Sequence, residues 1–187
     1  MQNLRIATLL TIVLATAGAG VAMAGGGDGD RGKQRGKAKR ATATLINGAG
    51  AKVGRVTLQQ WRGKVTVAGR VRGLTPGFHG FHIHAVGQCQ GPDFTTAGGH
   101  LITADPRHGA HTGDLPSLLV NADGTASAAF ETDRFSIAQL RDANGSAVMV
   151  HAGPDNFANI PPRYGAPDQV TLDTGDSGGR VACGVVR

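Results

Sequence analysis

The run "KVTVAGRVRGL" (residues 64–74) places Val65, Val67 and Val71 on one side of an extended chain and Lys64, Thr66 and Arg70 on the other. Apolar and polar residues alternating with a period of two describe a strand with one face in a core and one in water. Seven further β-rich runs surround it: "ATATLI" (41–46), "KVGRVTLQQ" (52–60), "FHGFHIHAV" (78–86), "SLLVN" (117–121), "TASAAFET" (125–132), "SAVMVHA" (146–152) and "RVACGVV" (180–186). Between them stand Asn47-Gly48, Thr75-Pro76-Gly77, Asp123-Gly124 and Asn144-Gly145, turn signals that suit antiparallel hairpins and not βαβ units. The expectation is an all-β, eight-stranded antiparallel sandwich or flattened barrel, with at most a turn of helix at "FSIAQLRD" (135–142). Residues 87–116 and 153–179 are left without strand character, and long loops in a compact domain are usually functional.

Outside this domain, residues 1–24 read as an export signal: Arg5 precedes an apolar run from Ile6 to about Leu14, and the stretch ends in Ala22, Met23 and Ala24. The run is short for a membrane span, so an uncleaved anchor is the lesser alternative and the mature chain is expected not to be transmembrane. Residues 25–40, "GGGDGDRGKQRGKAKR", contain no large apolar side chain and read as a disordered linker. Six Lys/Arg against Asp28 and Asp30 give it +4, so with Arg5 set aside residues 41–187 carry only +1 of the chain's +6. The linker is either a solubilising spacer or an adhesion segment for an anionic surface polymer; a specific nucleic-acid partner is not expected. Residues 41–187 are one domain by length. Cys89 and Cys183, the chain's two cysteines, most simply form one disulfide in an exported protein.

The chemistry lies in the histidines. In "GFHGFHIH" (77–84), alternation puts His82 and His84 on one face and Phe81 and Ile83 on the other, and His151 shares that outward parity against Val148 and Val150. Three imidazoles with no thiolate suit Zn²⁺ or a copper ion, and spacing does not choose between them. His79 has the parity of Phe81 and is expected to make a structural hydrogen bond. A denser set, His100, His108, His111 and Asp114 in "HLITADPRHGAHTGD" (100–114), has the composition of a closed tetrahedral zinc shell. By itself it is equally compatible with a hydrolytic zinc centre or an adventitious polar loop, while Asp105 reads as a turn residue beside Pro106.

Taken in order, "GLTPGFHGFHIH", "AGGHLI", "HTGDLP", "VMVHAGPDN" and "GDSGGRVACGVV" resemble the copper/zinc superoxide dismutases in their exported bacterial form, from about Ala41 to Arg187. The resemblance implies a Greek-key barrel, copper (Cu²⁺/Cu⁺) on His82, His84, His100 and His151, and zinc (Zn²⁺) on His100, His108, His111 and Asp114. His100 would then bridge the two ions as an imidazolate and carry a proton during turnover. It further implies a Cys89–Cys183 disulfide, Asp155 as the carboxylate orienting His82 and His108, and Arg180 as the cation that draws superoxide into the channel. The implied reaction converts two superoxide anions and two protons to O₂ and H₂O₂. Some relatives of this kind pair, so a homodimer is among the expected partners. Two departures matter: "HGAH" sets His108 only three positions before His111, and residues 156–179 hold neither lysine nor glutamate, leaving Arg163 and Arg180 to steer. The rival readings are a copper-binding or delivery domain on the same fold, a copper-only dismutase and a zinc hydrolase. The retained Arg180 and Asp155, the intact zinc set and the His82/His84/His151 group speak against them in turn.

Overall fold

The computed structural model describes residues 39–187; the expected signal segment and nearly all of the expected linker lie outside the described residues. Nine strands form: β1 (Lys39–Asn47), β2 (Lys52–Trp61), β3 (Lys64–Val71), β4 (Gly77–His79), β5 (Phe81–His84), β6 (Leu118–Val120), β7 (Ala126–Thr132), β8 (Ala147–His151) and β9 (Arg180–Val185). The ninth arises because the run around "FHGFHIH" breaks at Gly80, whose N–H donates to Gly153 O past the end of β8 and whose carbonyl accepts from the N–H of His151, the last residue of β8. β1 also takes in Lys39 and Arg40, which pair with Gln60 and Gln59 of β2.

Seven strands make one antiparallel sheet in the order β5-β8-β9-β1-β2-β3-β7, and β4 pairs with β6 in a small second sheet. The chain crosses from β3 to β5 and from β7 to β8, at opposite ends of that order, which is the Greek-key pattern. Because β4 leads into β5 and β6 into β7, the small sheet stands between the two free edges and completes a flattened barrel. Val65, Val67 and Val71 enter the core, where they meet Val56, Leu58, Ile83, Val148 and Val150, while Lys64, Thr66 and Arg70 stay exposed.

Both long segments are built as irregular loops, the first leaving β5 after His84 and the second leaving β8 after His151. The second contains a one-turn helix that the sequence reading lacks, α1 (Gln169–Thr174), begun by Asp168 accepting from Thr171 N–H and stopped by Gly175 at φ 61°. A 3₁₀ turn at Gln139–Arg141 occupies the "FSIAQLRD" connection. The Cys89–Cys183 disulfide forms, joining the first loop to β9 across 94 residues.

Candidate metal centre

β5 and β8 are neighbours, so His82 and His84 come to lie beside His151 on the side opposite Phe81, Ile83, Val148 and Val150. A register shift between Val150 and His151 ends the strand there, and His151 is buried and not solvent-facing as its place at the strand end suggested. The first loop then runs back along the free edge of β5. Leu101 N–H donates to Ile83 O and Ile83 N–H to Gly113 O, each at 2.8 Å, and isolated bridges set His100 against His84 and Asp114 against His82. Gly113 is needed for this close approach, since a Cβ there would overlap Ile83 O.

The result is two donor groups with one member in common: His82, His84, His100 and His151, and His100, His108, His111 and Asp114, all buried. In the first, His84 Nε2 and His151 Nε2 lie 3.3 Å apart. In the second, Asp114 Oδ1 lies 3.2 Å from His100 Nδ1 and 3.4 Å from both His108 Nδ1 and His111 Nδ1. Donors bound tetrahedrally at about 2.0–2.1 Å sit about 3.3–3.4 Å from one another, so the second group has the dimensions of a zinc shell. The tight "HGAH" spacing is accommodated because Gly109, at φ 84°, reverses the chain between His108 and His111. Asp105 belongs to neither group; it pairs with Arg107 in the exposed turn.

Five of the six rings in these groups have a second nitrogen tied down from outside, which fixes ring orientation. His82 Nε2 and His108 Nε2 donate to the two oxygens of Asp155 at 2.7 and 2.8 Å, and His84 Nδ1, His111 Nε2 and His151 Nδ1 donate to the carbonyls of Gly98, Pro106 and Gly178. His100 alone has no such anchor: Nδ1 faces Asp114 and His111, and Nε2 has no partner. His82 Nδ1 and His108 Nδ1 are likewise buried without partners. A buried unmet acceptor costs about 1–3 kcal/mol, so three of them converging on two points fit metal ions and not a hydrogen-bonded core. His79, by contrast, is fully used, spanning the carbonyls of His151 at 2.6 Å and Thr75 at 2.8 Å.

Electrostatics agree with that fit. Burial lowers His84 to about 2, His151 to about 3 and His100 to about 4, so these rings are neutral lone-pair donors at physiological pH. Burial pushes the Asp114 and Asp155 carboxyls up, but it is outweighed by hydrogen bonds from His100 to Asp114 and from His108 and His82 to Asp155. Both carboxyls therefore lie below the usual carboxylate range, Asp155 well below it.

An opening of about 720 Å³ reaches the first group, with His84, His100, His151, Asp173, Asp176 and Arg180 among its walls. The Arg180 guanidinium is clamped there, donating to Phe94 O at 2.6 Å and Gly98 O at 2.7 Å. Arg163 does not share its role: it stacks on the exposed Tyr164 ring, 4.7 Å from the centroid, and is not among the residues lining the opening. Two contributors escaped the sequence reading. Arg134 braces the second group's loop by donating to the carbonyls of His111 and Gly109 at 3.0 and 3.1 Å. Gly175 packs its backbone against the Asp155–His108 pair so closely that any Cβ would collide with both. A lone arginine and a helix-capping glycine carry no signal of such roles in sequence.

Comparison with known proteins gives the same answer from a separate direction. A match to the family described as copper/zinc superoxide dismutase spans residues 52–186. The Cu-Zn superoxide dismutase of Mycobacterium tuberculosis is 42% identical over 165 residues, covering 78% of this chain and 69% of its own. That of Caulobacter vibrioides is 37% identical over 160 residues, covering 79% of this chain and 85% of its own. Among solved structures, a double mutant of a SOD-like protein from Bacillus subtilis is similar with a TM-score of 0.64 at 29% identity, covering 77% of this chain and 95% of its own. With a match across most of the barrel and a fold shared with solved relatives, the chain belongs to the copper/zinc superoxide dismutase family.

Proposed function

We propose that this chain dismutates superoxide with copper held by His82, His84, His100 and His151, and with zinc held by His100, His108, His111 and Asp114. The observation that carries this reading is His100, the one ring of the six with both nitrogens turned into the donor groups and neither tied to an outside partner. When bound, copper supplies the one-electron chemistry, oxidising one superoxide to O₂ and reducing a second, which leaves with two protons as H₂O₂. The zinc set, gripped by Asp114 and braced by Arg134, keeps the His100 ring in place. His100 lines the opening, and its buried, unpartnered Nε2 is the atom suited to hold and release a proton between the two halves of the cycle. Arg180 lies in the wall of the opening with its charge fixed by two carbonyls, which suits it to attract and orient a small anion without changing position.

Export is part of the proposal, supported by the Cys89–Cys183 disulfide and by the signal-like residues 1–24. Adhesion through residues 25–40 and pairing into a homodimer are proposed alongside it. The copper-only and delivery readings are disfavoured by the intact four-donor zinc geometry and by an anion guide that storage does not need. Replacing His82 by Ala should abolish metal-dependent superoxide consumption while leaving the β-rich circular dichroism spectrum intact. Full activity in that variant would refute the assignment.

A further inference from the structure

The outward face of β2 and β3 carries an arrangement that the metal centre does not use. Arg55 and Arg70 are directly opposite one another across the two strands, both exposed. Like charges so placed repel and destabilise a sheet. Lys52 and Arg72 flank them on the wall of the same groove, of about 650 Å³. Among the described residues, the salt bridges made by lysine or arginine are Lys64–Glu131 and Arg107–Asp105, so none of these four cations has a carboxylate partner there. Asp123, in the adjoining turn, is already engaged by Thr125 N–H at 2.9 Å and by the Thr125 hydroxyl at 2.6 Å.

We infer that this groove binds a linear polymer of repeating phosphates. A second concavity of about 560 Å³ adjoins the first, sharing Arg55, Arg70 and Ser127 and floored by Ala68, Gly69 and Ala128. Small floor residues leave an extended shallow track, the shape a linear chain needs. Guanidinium forks match phosphate oxygens bidentately, and the hydroxyls of Thr44 and Ser127 on the walls supply further donors. No aromatic or large exposed aliphatic side chain lines the track, so it offers neither a stacking platform for bases nor a wedge for lipid tails. β9 and β1 separate these strands from β5 and β8, so an occupied track leaves the metal opening free. The site is distinct from the basic segment 25–40 and independent of the dismutase assignment.

The test uses the full chain and long-chain inorganic polyphosphate as the probe, with binding measured by fluorescence anisotropy across a salt series. The Arg55→Glu/Arg70→Glu protein should lose about tenfold in affinity, as removal of two exposed ion pairs predicts, with a shallower salt dependence and unchanged superoxide consumption. Arg55→Gln/Arg70→Gln serves if the reversal fails to fold. Replacing Arg31, Lys33, Arg35 and Lys37 by Gln should leave most of the groove-dependent loss in place. The single Arg55→Glu protein should unfold at higher temperature than the wild type, because it turns a repelling pair into an attracting one. Wild-type failure to bind polyphosphate, equal binding to polyglutamate, preference for phosphatidylglycerol vesicles, affinity that follows the 25–40 charges alone, or no gain in stability from Arg55→Glu would each overturn the proposal.

Discussion

Asp155 shows how much one side chain organises. Its two oxygens hold His82 of the first donor group and His108 of the second, and the Phe157 N–H donates to it at 2.7 Å, so the carboxylate is fixed before it fixes the rings. Asp155→Ala should therefore weaken retention of both metals by about 10–100-fold, measured by competition with a chromophoric chelator, without unfolding the barrel. An unchanged affinity would show that the rings are held by packing alone. At this scale the sequence was informative, because His82 and His84 declare their shared face by parity and "HTGD" places a histidine and a carboxylate three apart. Sharing of His100 is not visible in either cluster read alone. It emerges only when β5 and the returning loop are zipped together by the Ile83, Leu101 and Gly113 backbone bonds.

Among the elements, the disulfide loop is the least expected contributor. It carries Phe94 and Gly98, whose carbonyls clamp Arg180, and Gly98 O also receives His84 Nδ1–H. Cys89–Cys183 therefore positions Arg180, the proposed anion guide, and the His84 ring besides stabilising the fold. Reduction should cost about 4–5 kcal/mol in the chain-entropy account of a loop this long. It should also lower superoxide consumption at low ionic strength and flatten its salt dependence, since a mobile Arg180 steers less well. A reduced protein with full, equally salt-sensitive turnover would contradict this. The strands were legible because their alternation is local. The loops were legible only as remainders, since 87–116 and 153–179 draw their shape from Gly109, Gly113 and Gly175 meeting distant backbone and side chains. Helix α1 was missed because six residues around one N-cap aspartate show no apolar periodicity.

For the molecule as a whole, burying the His84, His100 and His151 rings makes the metal-free fold sensitive to acid. His100, His151 and His84 have pKa values lowered from 6.5 to about 4, 3 and 2, so the unfolded chain binds more protons than the folded one below about pH 6.5. Stability then rises with pH: it is fully present above 6.5 and is lost as pH falls, by about 1.4 kcal/mol per unit for each ring until its folded pKa is reached. Urea denaturation of the chelated protein should show a midpoint that drops between pH 7 and pH 5, and a constant or rising midpoint would contradict the neutral-ring account. The barrel, closed by its small β4–β6 sheet, was readable from strand count and turns, whereas its closure depends on pairings far apart in sequence. The central claim is a two-metal centre that turns over superoxide. It is tested most directly by quantifying copper and zinc in the purified protein and measuring superoxide consumption on the same sample, before and after chelation. The account predicts one copper and one zinc per chain, with activity lost on chelation and restored by adding copper. Copper without zinc, or both metals bound with no turnover, would contradict it.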